Sequence, residues 1–103
     1  MGRPYSAEFI RELGQTTETG VGVELARLCV RARIPAAYIA QALGASRMTI
    51  YKWFRGSDIR RRNRKYIEAM VSLMQEDFAN GVLPVKTDAE AKKYVESMVG
   101  TSI

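Results

Sequence analysis

The sequence predicts an all-α fold of about six helices around one core. Three observations carry this: apolar residues recur at three- and four-residue intervals, the segments they define are bounded by hydroxyl caps or by glycine and proline stops, and no stretch alternates as a strand would. At 103 residues the chain has length for one core of adequate but not large size. It shows no internal repeat and no low-complexity linker.

Ser6 is a good N-cap, with Tyr5 before it and Ile10 placed for a hydrophobic staple, and Gly14 is the expected stop of a short first helix. Gln15 to Gly20 reads as a polar loop ending in a cap at Thr17 or Thr19. Leu25, Leu28, Cys29 and Ala32 define a second helix from about Val21 to Arg33, because Pro35 disfavours helical geometry at Ile34. Pro35 suits the first turn of a third helix with Ile39, Ala40 and Leu43 buried, ended by Gly44. Ser46 then caps a fourth helix whose inward face is Ile50, Trp53 and Phe54, with Gly56 as its stop. Ile67, Met70, Val71, Met74 and Phe78 mark a longer fifth helix ending at Gly81, and Leu83 with Pro84 makes the next break. A capping-box pair, Thr87 and Glu90, opens a sixth helix carrying Ala91, Tyr94, Val95, Met98 and Val99 up to Gly100.

Composition narrows the chemistry. With no histidine and a single cysteine, Cys29, set on an apolar helix face, neither a zinc site nor histidine acid/base catalysis is expected. Cys29 reads as core, and no metal or cofactor is expected. The acidic residues are scattered, no glycine-rich phosphate loop occurs, and no serine or cysteine has an identifiable base, so the chain does not read as an enzyme. No apolar run approaches a membrane span and the N-terminal residues lack a signal-peptide stretch, which predicts a cytoplasmic protein. The net charge of +5 is unevenly laid out. Residues 1–46 hold five basic and four acidic groups, residues 47–65 eight and one, and residues 66–103 three and six. So concentrated a positive field attracts a polyanion, because each neutralised phosphate releases condensed counterions.

The segment PAAYIAQALGASRMTIYKWFRG, residues 35–56, resembles the helix-turn-helix of phage repressors, bacterial regulators and the DNA-binding ends of resolvase-type recombinases. It covers about a fifth of the chain. The framework positions have physical jobs: Ala40 is small where two helices cross, Gly44 permits the left-handed turn, and Ile50, Trp53 and Phe54 pin the fourth helix to the core. The resemblance implies sequence-specific binding of double-stranded DNA, with Arg47 and Met48 reading bases and Thr49 and Lys52 following them. Arg47 suits a guanine edge and Met48 a thymine methyl, whereas Ser46 and Arg55 fall to the DNA backbone.

Arg60, Arg61, Arg62, Arg64 and Lys65 open the fifth helix, where the helix dipole disfavours cations, and phosphate binding accounts for them better than local stability does. Gly2, Arg3 and Pro4 match the short core of minor-groove arms. The resemblance points to a small phage or bacterial transcriptional regulator. Two alternatives stay open at this level, a small terminase-type DNA-packaging subunit and a helical adaptor or inhibitor that binds a protein through its basic face. Residues 1–82 read as the DNA-binding domain and 83–103 as a helical extension, part of it or appended to it. Met70, Met74, Tyr94, Val95, Met98 and Val99 are more apolar surface than such an appendage is expected to hide, which predicts self-association, with a homodimer as the leading form.

Overall fold

The protein is described by a computed structural model covering residues 4–102. It is all-helical: α1 (Ala7–Gln15), α2 (Val21–Ala32), α3 (Ala36–Leu43), α4 (Arg47–Phe54), α5 (Arg61–Ala79) and α6 (Asp88–Ser102). The minor-groove match at Gly2 and Arg3 lies outside the described residues, so only Pro4 of it is placed.

Caps chosen by sequence chemistry set most boundaries. Ser6 Oγ accepts the Phe9 amide at 3.0 Å and Ser46 Oγ accepts the Thr49 amide at 3.1 Å, each satisfying a donor that the first turn leaves open. Thr87 Oγ1 accepts the Glu90 amide at 3.1 Å, and the Glu90 carboxylate reaches back to the Lys86 amide at 2.9 Å, one residue earlier than a capping box requires. Four helices close in the same way, with amides reaching back five and three residues around one left-handed residue. That residue is Gly44, Gly56 or Gly81 after α3, α4 and α5, but Arg33, at φ 63°, after α2.

Several expected boundaries move. Gly14 and Gly100 lie inside α1 and α6 rather than ending them, since a lone exposed glycine weakens a helix without being obliged to stop it. Neither Thr17 nor Thr19 caps α2. Its N-cap is Gly20, without a side-chain bond, and the loop is shaped by Thr16 Oγ1 accepting the Glu18 amide. Pro35 is the N-cap of α3, at ψ 141°, not part of its first turn. The expected staple between Tyr5 and Ile10 does not form. Ile10 is 39% exposed, while Tyr5 is buried against Phe9 and Phe54 and its hydroxyl donates to the Ile34 carbonyl at 2.6 Å.

One core runs through all six helices. The α2 helix is its axis, packing against α1, α4 and α5, and α6 lies across α3 and α5. Met70, Met74, Val95 and Met98 are buried in this core, and Tyr94 is half-buried with its hydroxyl donating to Asp77 at 2.5 Å. One copy therefore hides four of the six side chains from which self-association was expected, while Tyr94 and Val99 stay half-buried. Residues 83–100 likewise share the core through Leu83, Val85, Ala91, Val95 and Met98 rather than forming an appendage. Among the described residues, no helix is long and apolar enough to cross a membrane.

Candidate nucleic-acid interface

Helices α3 and α4 meet through Gly44 and Ala45, with Gly44 at φ 65° making the turn. Ile50, Trp53 and Phe54 bury the inner face of α4, as Ala36, Ile39 and Ala40 bury that of α3. At 3.6 residues per turn, Met48, Lys52 and Arg55 then fall on the side of α4 opposite its buried stripe. Arg47 and Tyr51, four apart, form one flank of this ridge and Thr49 the other. Met48 is 71% exposed, more than Ile10 or Val82, the other exposed large apolar side chains among the described residues. Arg47 and Lys52 are exposed as well.

The polar ends of α4 are already engaged. Ser46 Oγ and Thr49 Oγ1 lie 3.0 Å apart in addition to the cap bond, so Thr49 is half-buried and tied into the start of the helix rather than free. Arg55 turns toward α1: its Nε is 3.4 Å from Glu12 Oε2, and its guanidinium lies 5.4 Å from the Phe9 ring and 5.7 Å from the Tyr51 ring. Both side chains of this pair stay about half exposed, 53% and 51%, where an ion pair adds little stability. Burial raises the pKa of the neighbouring Tyr5 phenol far above its ordinary value and pushes the Cys29 thiol up to about 12, so both are neutral near pH 7 and add no charge behind α4.

The cations at the start of α5 fan out. Ile67, Met70, Val71 and Met74 turn one face of α5 inward, leaving Lys65 on the opposite side with Arg61 and Arg62 flanking it. Arg64 lines the small cleft between the start of α2 and the α4–α5 loop, together with Trp53 and Gly56, on the side nearest α4. Arg60 is the N-cap and makes no side-chain capping bond. No acidic residue occupies the first turn, so the open amides and the cations add up to a strongly positive end. Among the described residues Arg55 is the only cation paired with a carboxylate.

Three participants escape sequence reasoning. Tyr51 is the flank partner of Arg47, a placement that spacing alone would have offered. Glu12 meets Arg55 from another helix, 43 residues away in sequence, and has no local signal. Gly22 lets α2 approach α4: a Cβ there would sit 2.3 Å from the Trp53 carbonyl oxygen. Among the described residues, no group of three or more cysteine, aspartate or glutamate side chains is placed to hold a metal ion. No family model matches the chain, and comparison with curated proteins and with solved structures likewise gives no match.

Proposed function

We propose that the chain binds double-stranded DNA in a sequence-specific manner, with α4 reading the major groove and the first turn of α5 holding phosphates, and that it serves as a small transcriptional regulator. The observation that carries this reading is the set of exposed cations, Arg47 and Lys52 on α4 and Arg60–Lys65 at the start of α5, that have no carboxylate partner among the described residues, together with the exposed Met48 on α4. An acidic protein partner would account for the charge. It would not account for a rigid helix whose outer ridge alternates cations with one large apolar side chain, a pattern suited to base edges and thymine methyls. In this reading Arg47 and Met48 read bases, Lys52 follows, and Arg55 takes a phosphate by exchanging it for the Glu12 carboxylate. Thr49 serves mainly to hold the cap that aims them.

The test is Arg47→Ala. With a preferred duplex selected from random DNA, the variant should lose about 1–3 kcal/mol on that duplex and much less on random sequence, with an unchanged thermal melt. Full retention of specificity would remove α4 from the role of reader.

A further inference from the structure

Of the eight cations in residues 47–65, Arg55 alone is paired with a carboxylate among the described residues, and that carboxylate comes from another helix. We infer that Glu12 of α1 is a built-in competitor of DNA phosphate for Arg55, which weakens binding to every duplex alike and hastens release. The inference rests on the DNA reading proposed above and concerns the phosphate that Arg55 takes. Arg55 is the C-cap of α4, one turn beyond Tyr51. Its guanidinium is held in two ways: it lies 5.4 Å from the Phe9 ring and 5.7 Å from the Tyr51 ring, and its Nε is 3.4 Å from Glu12 Oε2.

The two holds differ in what they do to the charge. A ring face attracts the guanidinium and leaves its positive charge in place for a third group, whereas a carboxylate cancels it. Fold stability does not account for the carboxylate. An ion pair with both side chains half exposed adds little, and α1 is already fixed by Phe9 and Leu13 in the core. Loss of Glu12 therefore leaves Arg55 on its rings, at the same end of α4, with its charge restored. The pair opens onto a cleft of about 370 Å³ that both side chains line, so a phosphate reaches the guanidinium from solvent and the carboxylate has room to withdraw. While both stand beside Arg55, the carboxylate and the phosphate repel each other. A phosphate contact is made with any sequence, so Glu12 lowers affinity for selected and random duplexes by the same factor. The contest for Arg55 shows mainly as faster dissociation.

Equilibrium titrations and dissociation kinetics with a selected and a random duplex, at one salt concentration, test this in wild type, E12Q, R55Q and E12Q/R55Q. E12Q should bind both duplexes about three- to tenfold more tightly, mostly through slower dissociation, with the ratio between them kept. R55Q should weaken both. Adding E12Q to R55Q should change affinity by less than about twofold, because the competitor has lost the group it competes for. E96Q removes the same charge from α6, which packs on α3 and α5, and as the control for net charge it should also stay within about twofold of wild type. Thermal melts of the variants should match wild type, and a large drop for E12Q would make the pair a structural strut instead. An E12Q chain that binds as wild type does, an equal gain in the R55Q background, or a gain no larger than that of E96Q would each overturn the proposal. So would weaker binding by E12Q, which would mean that Glu12 aims Arg55 at the phosphate. These outcomes differ from failure of the DNA reading: a wild-type chain that binds neither duplex removes both, whereas discrimination between duplexes that ignores Glu12 leaves α4 as the reader.

Discussion

At the scale of single residues, Tyr5 shows how a side chain can be seen in the sequence and its job missed. Local spacing offers Ile10 as its partner, yet Tyr5 crosses to the end of α2, where its hydroxyl donates to the Ile34 carbonyl and its ring joins Phe9, Tyr51 and Phe54. A staple is a contact within one turn, and a ring that can cover three others in the core gains more burial there. Tyr5→Phe keeps the ring and leaves a buried carbonyl without its donor, so it should cost about 1–2 kcal/mol in denaturant unfolding. The same hydroxyl carries a pH signature. Burial raises the phenol's pKa in the folded state, so the folded chain holds the proton more tightly than the unfolded one, and stability is complete below the ordinary tyrosine value near 10 and falls as pH rises past it. Cys29 has the same sign, rising from 9.0 to about 12 because of burial, so the loss should begin near pH 9. Unfolding free energy measured between about pH 7 and 11 should be level and then decline, and the decline should be shallower in Tyr5→Phe.

At the scale of elements, what was legible is what is encoded locally. All six helices follow from apolar periodicity, and the turn between α3 and α4 follows from Gly44, because its left-handed geometry is a demand that glycine meets most readily. The end of α2 was legible only through Pro35, since the left-handed position there is filled by Arg33 and nothing in an arginine announces it. Gly22 was illegible for a different reason: its requirement is imposed by α4, some thirty residues on. There the second residue of α2 lies against the Trp53 carbonyl, the same carbonyl that accepts the Gly56 amide at 3.0 Å and closes α4. Gly22→Ala would improve helix propensity by about 1 kcal/mol in an isolated helix. Here a methyl 2.3 Å from a backbone oxygen forces the helices apart. The net effect should be a loss of about 1–3 kcal/mol, read as a lowered melting temperature, accompanied by weaker DNA binding because the displaced helix is the proposed reader. A variant as stable as wild type would mean that α4 yields at this contact without consequence.

At the scale of the whole molecule, the chain is electrically divided along its length: a 19-residue stretch with eight cations and one carboxylate, and a mildly acidic C-terminal part that shares the common core. The division is visible in the sequence because charge needs no fold to be counted. Its arrangement is not, because the direction each cation takes depends on which face of α5 is buried. Opposite Ile67, Met70, Val71 and Met74, Lys65 points to solvent with Arg61 and Arg62 on either side of it, all three exposed, while Arg64 is turned toward the α4–α5 loop. For the proposed DNA complex this predicts a sequence-independent contribution from α5. Replacing Arg61 and Arg62 with alanine should weaken binding to selected and random duplexes alike, and the plot of log affinity against log salt should flatten by about 0.9 for every phosphate contact removed. Neither residue packs in the core, so the melt should hardly change. The contrast with Arg47→Ala separates the two helices: one substitution lowers the ratio of specific to random binding at constant slope, the other lowers both affinities and the slope with the ratio kept. If the slope of the Arg61/Arg62 variant equalled that of wild type, the cations of α5 would have to be assigned to another polyanion or to solvent, and α4 would be left to bind DNA without a phosphate anchor on its neighbour.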